Sequence, residues 1–402
     1  MKYLYILIIA AALAACKVGQ KSSANKVKAK ELADKYIIAD GHVDLPYRLQ
    51  VKNFRLEKSY TGIPVESKEG DFDFVRAKKG GLDAPFMSIY IPSNRTVPEA
   101  KLLADSLINM VKYIAQEKSE YFEVAHNPAD IQRIVSQGKL ALPMGMENGS
   151  PISSVEDVAL YRKKGISYVT LTHGKDNDIC DSSYDSTRTW GGLSPFGREV
   201  VNAMNKEGVL VDISHVSDET FFDVIKITKV PVIASHSSVR KFTPGWQRNM
   251  SDEMILKLKE NGGIIMISFG TTFLDSEVSK YKIETTSALR KELAATGLKG
   301  KELSEAVAKA IAKDSKAYSD VKKVADHIDH VVKLAGVDYV GFGSDYDGVG
   351  DSLPTGLKDV GDYPNLLEEL LARGYSESDI EKICSGNLFR VWNQVLDYAA
   401  KN

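Results

Sequence analysis

The sequence predicts one large (β/α)8 (TIM) barrel, and three observations carry that expectation. Eight short apolar runs alternate with helical patterns along the chain, as parallel strands buried on both faces do. Six of the eight runs end in His, Asp or Glu. Those polar residues fall at the C-terminal ends of the runs, the edge where α/β folds place their chemistry. A doubly wound open sheet would not gather polar residues from so many strand ends into one place.

The bulk properties agree. The chain has 402 residues, 43% hydrophobic and 26% charged, enough to bury a substantial core. A formal net charge of −2 gives no reason to expect a nucleic-acid partner. Residues 1–15 carry an early lysine, an apolar run and a small-residue cleavage zone, as a signal peptide does. Leu13-Ala14-Ala15-Cys16 resembles the bacterial lipobox, in which the cysteine is lipidated. Residues 16–35 are then expected to be a polar, lysine-rich tether, and residues 36–402 the (β/α)8 body. A lipid on Cys16 places the protein in the cell envelope, on a membrane but outside the cytoplasm. Lys17, rather than Asp, favours the outer membrane where a cell has two. Cys180 and Cys384 remain as a candidate disulfide that the sequence does not decide, and a homodimer is equally undecided.

The elements follow in order. Residues 36–40 form the first strand, running into His42-Val43-Asp44, whose side chains share one face because strand side chains alternate. Residues 71–80 read as helix or loop, 84–91 as the second strand and 97–137 as an amphipathic helical region. The third strand, 139–146, ends at Glu147, equally suited to capping a helix and to bridging two cations. A helix at 155–164 leads to the fourth strand, 165–173, ending in Thr172-His173. Ser194 and Pro195 begin the next helix as N-cap and first residue. Strands five and six end in Ser214-His215 and Ser235-His236, two histidines separated by one strand–helix–strand unit. The seventh strand is 261–268. Residues 276–320 are rich in Ala, Lys and Glu and read as a helical excursion over the site. A helix at 321–335 precedes the eighth strand, 337–344, which ends in Asp345-Tyr346-Asp347, and the chain is helical to Ala400.

In such a barrel His42, Asp44, Glu147, His173, His215, His236 and Asp345 rim one mouth. Nitrogen and carboxylate donors without thiolate suit zinc and other divalent first-row metals. Two cations bridged by a carboxylate can activate water and polarise a carbonyl. Asp345 can move a proton or hold an ammonium group. Arg248, just past the sixth strand, can clamp a carboxylate.

These residues bring a family into view. The chain resembles the membrane (renal) dipeptidases, zinc peptidases of the amidohydrolase superfamily, over roughly residues 36–395. The resemblance rests on Asp40-Gly41-His42-x-Asp44, Gly145-x-Glu147, Tyr168-x-Thr170-Leu171-Thr172-His173, Gly192-Leu193-Ser194-x-Phe196-Gly197, Asp212-x-Ser214-His215-Val216-Ser217, Pro231 to Ser238, Arg248-Asn249 and Gly341-Phe342-Gly343-Ser344-Asp345-x-Asp347-Gly348. It implies a binuclear zinc dipeptidase. His42 and Asp44 would hold one zinc, His215 and His236 the other, with Glu147 bridging. A hydroxide between the metals would attack the peptide carbonyl. His173 would bind and polarise the substrate, Arg248 would hold its C-terminal carboxylate, and Asp345 would serve its amine or the proton transfer. Family members cut dipeptides, often with a D-residue at the C-terminal position.

Two departures stand out. The family often has Glu-Gly-Gly where this chain has Glu147-Asn148-Gly149, a change expected to alter the pocket wall. A family tyrosine that helps bind the substrate carboxylate aligns with Phe273, removing one donor. The second departure keeps open a related metal-dependent amidohydrolase acting on N-acyl amino acids or lactones. A lipoprotein that keeps the barrel only as a binding module is the third reading, and the intact ligand set argues against it.

Overall fold

The structure is a computed structural model and describes residues 23–51 and 65–402. Eight parallel strands close into a barrel in the order β1-β10-β9-β8-β7-β6-β5-β2. They are β1 (Ile38–Val43), β2 (Leu82–Tyr90), β5 (Met144–Glu147), β6 (Ile166–Thr170), β7 (Leu210–Asp212), β8 (Ile233–Ser237), β9 (Ile264–Ile267) and β10 (Val340–Phe342). Two further strands, β3 (Phe122–Val124) and β4 (Leu140–Leu142), pair with each other outside the barrel. The barrel strands are buried along almost their whole length, as expected where helices cover the outside and side chains fill the interior. Closure leaves no open edge in this sheet.

The expected strands all form, but three local expectations change. The run 139–146 divides at Pro143, giving β4 to the small sheet and β5 to the barrel. Proline has no N–H to donate to a ladder, and the Pro143 carbonyl instead accepts from Met87 N at 2.8 Å. The helical region 97–137 also divides, into Val97–Glu117, β3 and Pro128–Ser136. Asn127 caps the second of these helices by accepting from Asp130 N, with Pro128 in its first turn, a start signal that overrides continuous helical periodicity. The segment expected as a tether through residue 35 is helical from residue 23. Its Ala29, Leu32 and Ala33 are buried in the main core, so the folded body begins earlier than residue 36. Cys16 and the expected signal peptide lie outside the described residues.

The excursion is a pair of helices, Ser276–Ala295 and Gly300–Ile311, closed by a short turn at Ser315–Ala317. The first helix has no buried residue, and the second buries Val307 and Ile311. None of the residues lining the main cleft belongs to this pair, so it stands beside the barrel mouth and does not roof it. Cys180 and Cys384 are both buried free thiols, which rules out the disulfide in this structure. Among the described residues no helix is long and apolar enough to cross a membrane.

Candidate active site

The C-terminal ends of the barrel strands converge on Glu147, the last residue of β5. Its Oε2 lies 3.3 Å from His42 Nε2. Its Oε1 lies 3.1 Å from His215 Nε2, 3.3 Å from His236 Nε2 and 3.6 Å from His173 Nε2. One carboxylate therefore faces β1 with one oxygen and the β7–β8 histidines with the other. Asp44 Oδ2 is 3.5 Å from His42 Nε2. Donor atoms come close enough to share an ion in three overlapping sets: His42, Glu147 and His236; Glu147, His173 and His215; and His42, Asp44 and Asp345.

Hydrogen bonds behind the ligands decide which ring nitrogens are bare. His42 Nδ1 meets the Tyr168 hydroxyl at 2.8 Å, and that hydroxyl donates its only proton to the Gly41 carbonyl at 3.0 Å. The hydroxyl must then accept from Nδ1–H, which leaves His42 Nε2 as a lone pair. His236 repeats the logic. Its Nδ1 is 2.7 Å from Ser235 Oγ, and Ser235 Oγ donates to Asp212 Oδ2 at 2.6 Å. His236 Nε2 is therefore also bare, and it faces His215 Nε2 at 2.8 Å. Crowded lone pairs and a carboxylate repel one another unless a proton or a cation lies among them. His42 Nε2 and Asp44 Oδ1 are buried without a hydrogen-bond partner, a cost that ligation removes. Neutral imidazole and carboxylate donors of this kind fit zinc or a similar divalent ion.

Two buried aspartates brace this arrangement. Asp40 accepts from His42 N at 2.9 Å and Ser344 N at 3.0 Å and from the Tyr363 hydroxyl, tying the end of β1 to the segment that carries Asp345. Asp212 accepts from Ser214 N at 3.0 Å, Ser235 N at 2.8 Å and Thr170 Oγ1 at 2.5 Å, tying together the ends of β6, β7 and β8. Such outer partners orient metal-binding histidines. His215 and Asp345 adopt left-handed backbone, φ 69° and 64°, which costs a non-glycine residue about 1 kcal/mol or more and clusters at functional sites. Gly348 allows Asp345 to close in. A Cβ there would lie 2.1 Å from Asp44 Oδ2 and 2.3 Å from Asp345 Oδ1.

The electrostatics fit a cation site. Burial pushes Glu147 up, but the charges of His42 and His173 and hydrogen bonds from His215 and His236 hold it well below the usual carboxylate range. Burial keeps His215 and His236 neutral, with Arg248 adding to the effect on His215 and His42 on His236. Burial also favours neutral His42, yet the surrounding Tyr168, Glu147 and Asp44 draw it towards protonation. A bound cation answers the same negative field and leaves the ring neutral. Burial, opposed by His42 and reinforced by Asp44 and Glu147, raises Asp345 to about 7.

Every sequence-selected residue is at this mouth, but two sit differently from expectation. Arg248 is 2% exposed and does not line the cleft. Its guanidinium bonds Ser237 Oγ and the His236 carbonyl, each at 2.7 Å, and approaches His215 Nε2 at 3.0 Å, under the Phe273 ring. Asn148 faces away from the cleft. It takes left-handed backbone, φ 77°, donates to the Ile91 carbonyl at 2.9 Å and accepts from Asn177 Nδ2 at 3.1 Å. The departure beside Glu147 therefore stitches loops together and leaves the pocket wall unaltered. Phe273 does line the cleft, stacked on Trp246 at 5.3 Å.

The cleft encloses about 680 Å3, within the usual size of a small-molecule site. Sequence reasoning missed its aromatic lining, Tyr47 in the short helix after the first strand, Tyr90 at the end of β2, and Tyr184 and Trp246 in loops, because single aromatics carry no periodic signal that marks them as lining. It also missed Arg48, which pairs with Asp347 at 3.1 Å at the far side of the cleft.

Comparison with known proteins agrees with this geometry. The family described as membrane dipeptidase (peptidase family M19) matches residues 26–402. Dipeptidase tcpJ of Claviceps purpurea is 32% identical over 372 residues, 90% of this chain and 77% of its own length. Among solved structures, the probable dipeptidase PvdM from Pseudomonas aeruginosa superposes with TM-score 0.79 and 26% identity, covering 94% of this chain and 100% of that one. A metallopeptidase from Rhodobacter sphaeroides, solved with a phosphinate mimic of the dipeptide L-Ala-D-Ala, shares the fold at TM-score 0.74 and 22% identity, over 90% of this chain and 99% of that one. With the family pattern running from the first packed helix to the last residue, and the ligand cluster where a metallopeptidase needs it, this chain belongs to the membrane dipeptidase family, a family of metal-dependent dipeptide hydrolases.

Proposed function

We propose that the protein is a binuclear zinc dipeptidase that hydrolyses the peptide bond of dipeptides, including those with a C-terminal D-residue. The observation that carries the two-metal reading is Glu147, whose oxygens divide between His42 and the His215–His236 pair. His42 and Asp44 would hold one ion and His215 and His236 the other, both sharing Glu147. Ions bound there supply an activated water and polarisation of the scissile carbonyl.

The remaining work falls to this chain's own groups. His173, 24% exposed at its side chain and the most open of the mouth histidines, faces the cleft and offers a hydrogen bond to the substrate carbonyl. Asp345 lies on the same rim beside Asp44, placed to hold the substrate amine or pass a proton to the leaving nitrogen. Arg248, whose Nε has no hydrogen-bond partner, would offer that donor to the substrate carboxylate. The cleft is roomy enough for either configuration at the C-terminal residue.

Metal content measured alongside a panel of L,L- and L,D-dipeptides tests this reading. About two zinc ions per chain and cleavage that needs a free amino terminus are expected. Preference for N-acyl amino acids or lactones would favour the related amidohydrolase, and well under one zinc per chain would favour a binding module. We further propose that the protein acts in the cell envelope, lipid-anchored through Cys16, on the strength of Leu13-Ala14-Ala15-Cys16. Cys16→Ser should move it from the membrane fraction to the soluble one.

A further inference from the structure

We propose that the helical excursion braces the cleft from outside, with Tyr318 as the positioning residue that holds the wall loop after β10 through Asp351. The inference rests on the dipeptidase reading and gives a role to a segment that adds nothing to the cleft lining. The loop concerned, 343–359, contains no helix or strand. Asp345, Asp347, Gly348, Val349 and Ser352 of this loop all line the cleft. A loop this long in a compact domain is either functional or loose, so what fixes it decides the shape of that wall.

The start of the loop is tied to the barrel. Asp345 N donates to the His42 carbonyl at 3.1 Å, and Asp44 N donates to the Tyr346 carbonyl at 2.9 Å. Asp347 N donates to Asp71 Oδ2 at 2.8 Å. The far end is tied to the segment that follows the excursion, where Thr355 N donates to the Ser319 carbonyl at 2.8 Å and Val321 N to the Thr355 carbonyl at 2.9 Å. Between these ends, Val349 and Ser352 face the cleft while Asp351 reaches away from it into the excursion.

Two excursion residues take hold of Asp351. Tyr318 Oη donates to Asp351 Oδ2 at 2.5 Å, a charge-assisted bond of the stronger kind. Lys282 Nζ donates to the Asp351 carbonyl and lies 3.7 Å from its carboxylate. The ammonium groups of Lys282 and Lys358 stand 4.1 and 3.8 Å from the centre of the Tyr318 ring, close enough to be attracted by it. Lys358 Nζ in turn donates to the Leu353 carbonyl at 2.5 Å. Tyr318 is itself well seated. It is 8% exposed and packs with Ile311, Ala317 and Leu289 in a small core separate from that of the barrel. Its neighbour Ser319 donates from N to Thr271 Oγ1 at 3.2 Å, and Thr271 N donates to the Ser352 carbonyl at 2.8 Å. The same brace therefore reaches the one-turn helix Thr271–Leu274 that carries Phe273.

The test uses the metal-loaded full chain, one good dipeptide, and hydrogen exchange of the backbone amides at 346–353. Tyr318→Phe is expected to raise KM roughly threefold to tenfold, the weight of a hydrogen bond to a charged group, and to speed exchange in that loop. It should leave kcat and zinc content close to wild type, because Asp345 is tied separately to β1, a split that a merely structural role would not produce. Asp351→Ala should do the same, and the double variant should be no worse than either single one, since both remove one bond. An unchanged KM, additive effects of the two substitutions, or a fall in kcat with loss of zinc overturns the proposal. A wild-type chain that cleaves no dipeptide would sink the dipeptidase reading and leave the brace to exchange alone, where an unchanged rate in Tyr318→Phe overturns it.

Discussion

His42, Glu147 and His236 stand on barrel strands, whereas Arg248 and Tyr184 stand on loops beyond β8 and β6, and Phe273 on the one-turn helix Thr271–Leu274 beyond β9. The strand-borne ligands are all but inaccessible, 0%, 4% and 1% exposed. Each is backed by a buried partner: Tyr168 behind His42, Ser88 behind Glu147, and Ser235 with Asp212 behind His236. Beyond the strands, Tyr184 is 45% exposed and lines the cleft with Phe273, while Arg248 is buried beneath that ring. On the proposed reading, the chemistry of activating water would rest on the barrel strands, where placement is held by buried partners, and substrate preference on the loops, where one residue can change without disturbing a ligand.

That contrast can be broken at its rigid end first. His215→Ala should abolish turnover and lower bound zinc while circular dichroism still reports a folded barrel. Unchanged metal and activity would remove His215 from the site. Asp345→Asn should keep both metals and cut kcat by roughly 10^2 to 10^4, the range for loss of a proton-transfer group. Loss of metal there would make Asp345 a ligand. Asp212→Asn, one step behind the ligands, should weaken zinc affinity by roughly 10- to 100-fold, read by competition with a chelator. If affinity holds, the relay through Ser235 does not orient His236.

The smallest effect belongs to the join between the two wall loops. His327 accepts from Val239 N at 3.0 Å and donates to the Leu274 carbonyl at 2.9 Å, linking the segments that lead to Arg248 and from Phe273. Burial lowers its pKa from 6.5 to about 3. Between those values the unfolded chain binds the extra proton and the folded chain does not. The histidine's full contribution is thus present above pH 6.5 and is lost as the pH falls, by at most about 1.4 kcal/mol per pH unit. His327→Gln should flatten that part of the Tm-versus-pH curve between pH 6 and 4. An unaltered slope would show that other groups carry it.

Much of this was legible in the sequence because strands buried on both faces leave continuous apolar runs, and polar residues at their ends cannot be core residues. His42, Asp44, Glu147, His173, His215, His236 and Asp345 are legible that way, from six strand ends, with His42 and Asp44 sharing the first. Breaks inside an expected element are less legible where one residue decides them, as Pro143 does between β4 and β5 and Pro128 at the start of its helix. The early helix from residue 23 was missed because its lysine-rich face reads as tether, while Ala29, Leu32 and Ala33 form a narrow buried stripe.

By itself, the sequence determined the barrel, the strand count and the set of donors, since each depends on short-range pattern. Only the tertiary structure decided how those donors come together. The split of Glu147 between two histidine groups, the bare nitrogens set by Tyr168 and Ser235, and the outward turn of Asn148 all depend on residues far apart in the chain. Barrel closure, which sets β1 between β2 and β10, brings those residues within hydrogen-bond reach, and no local pattern encodes distances across a closed sheet.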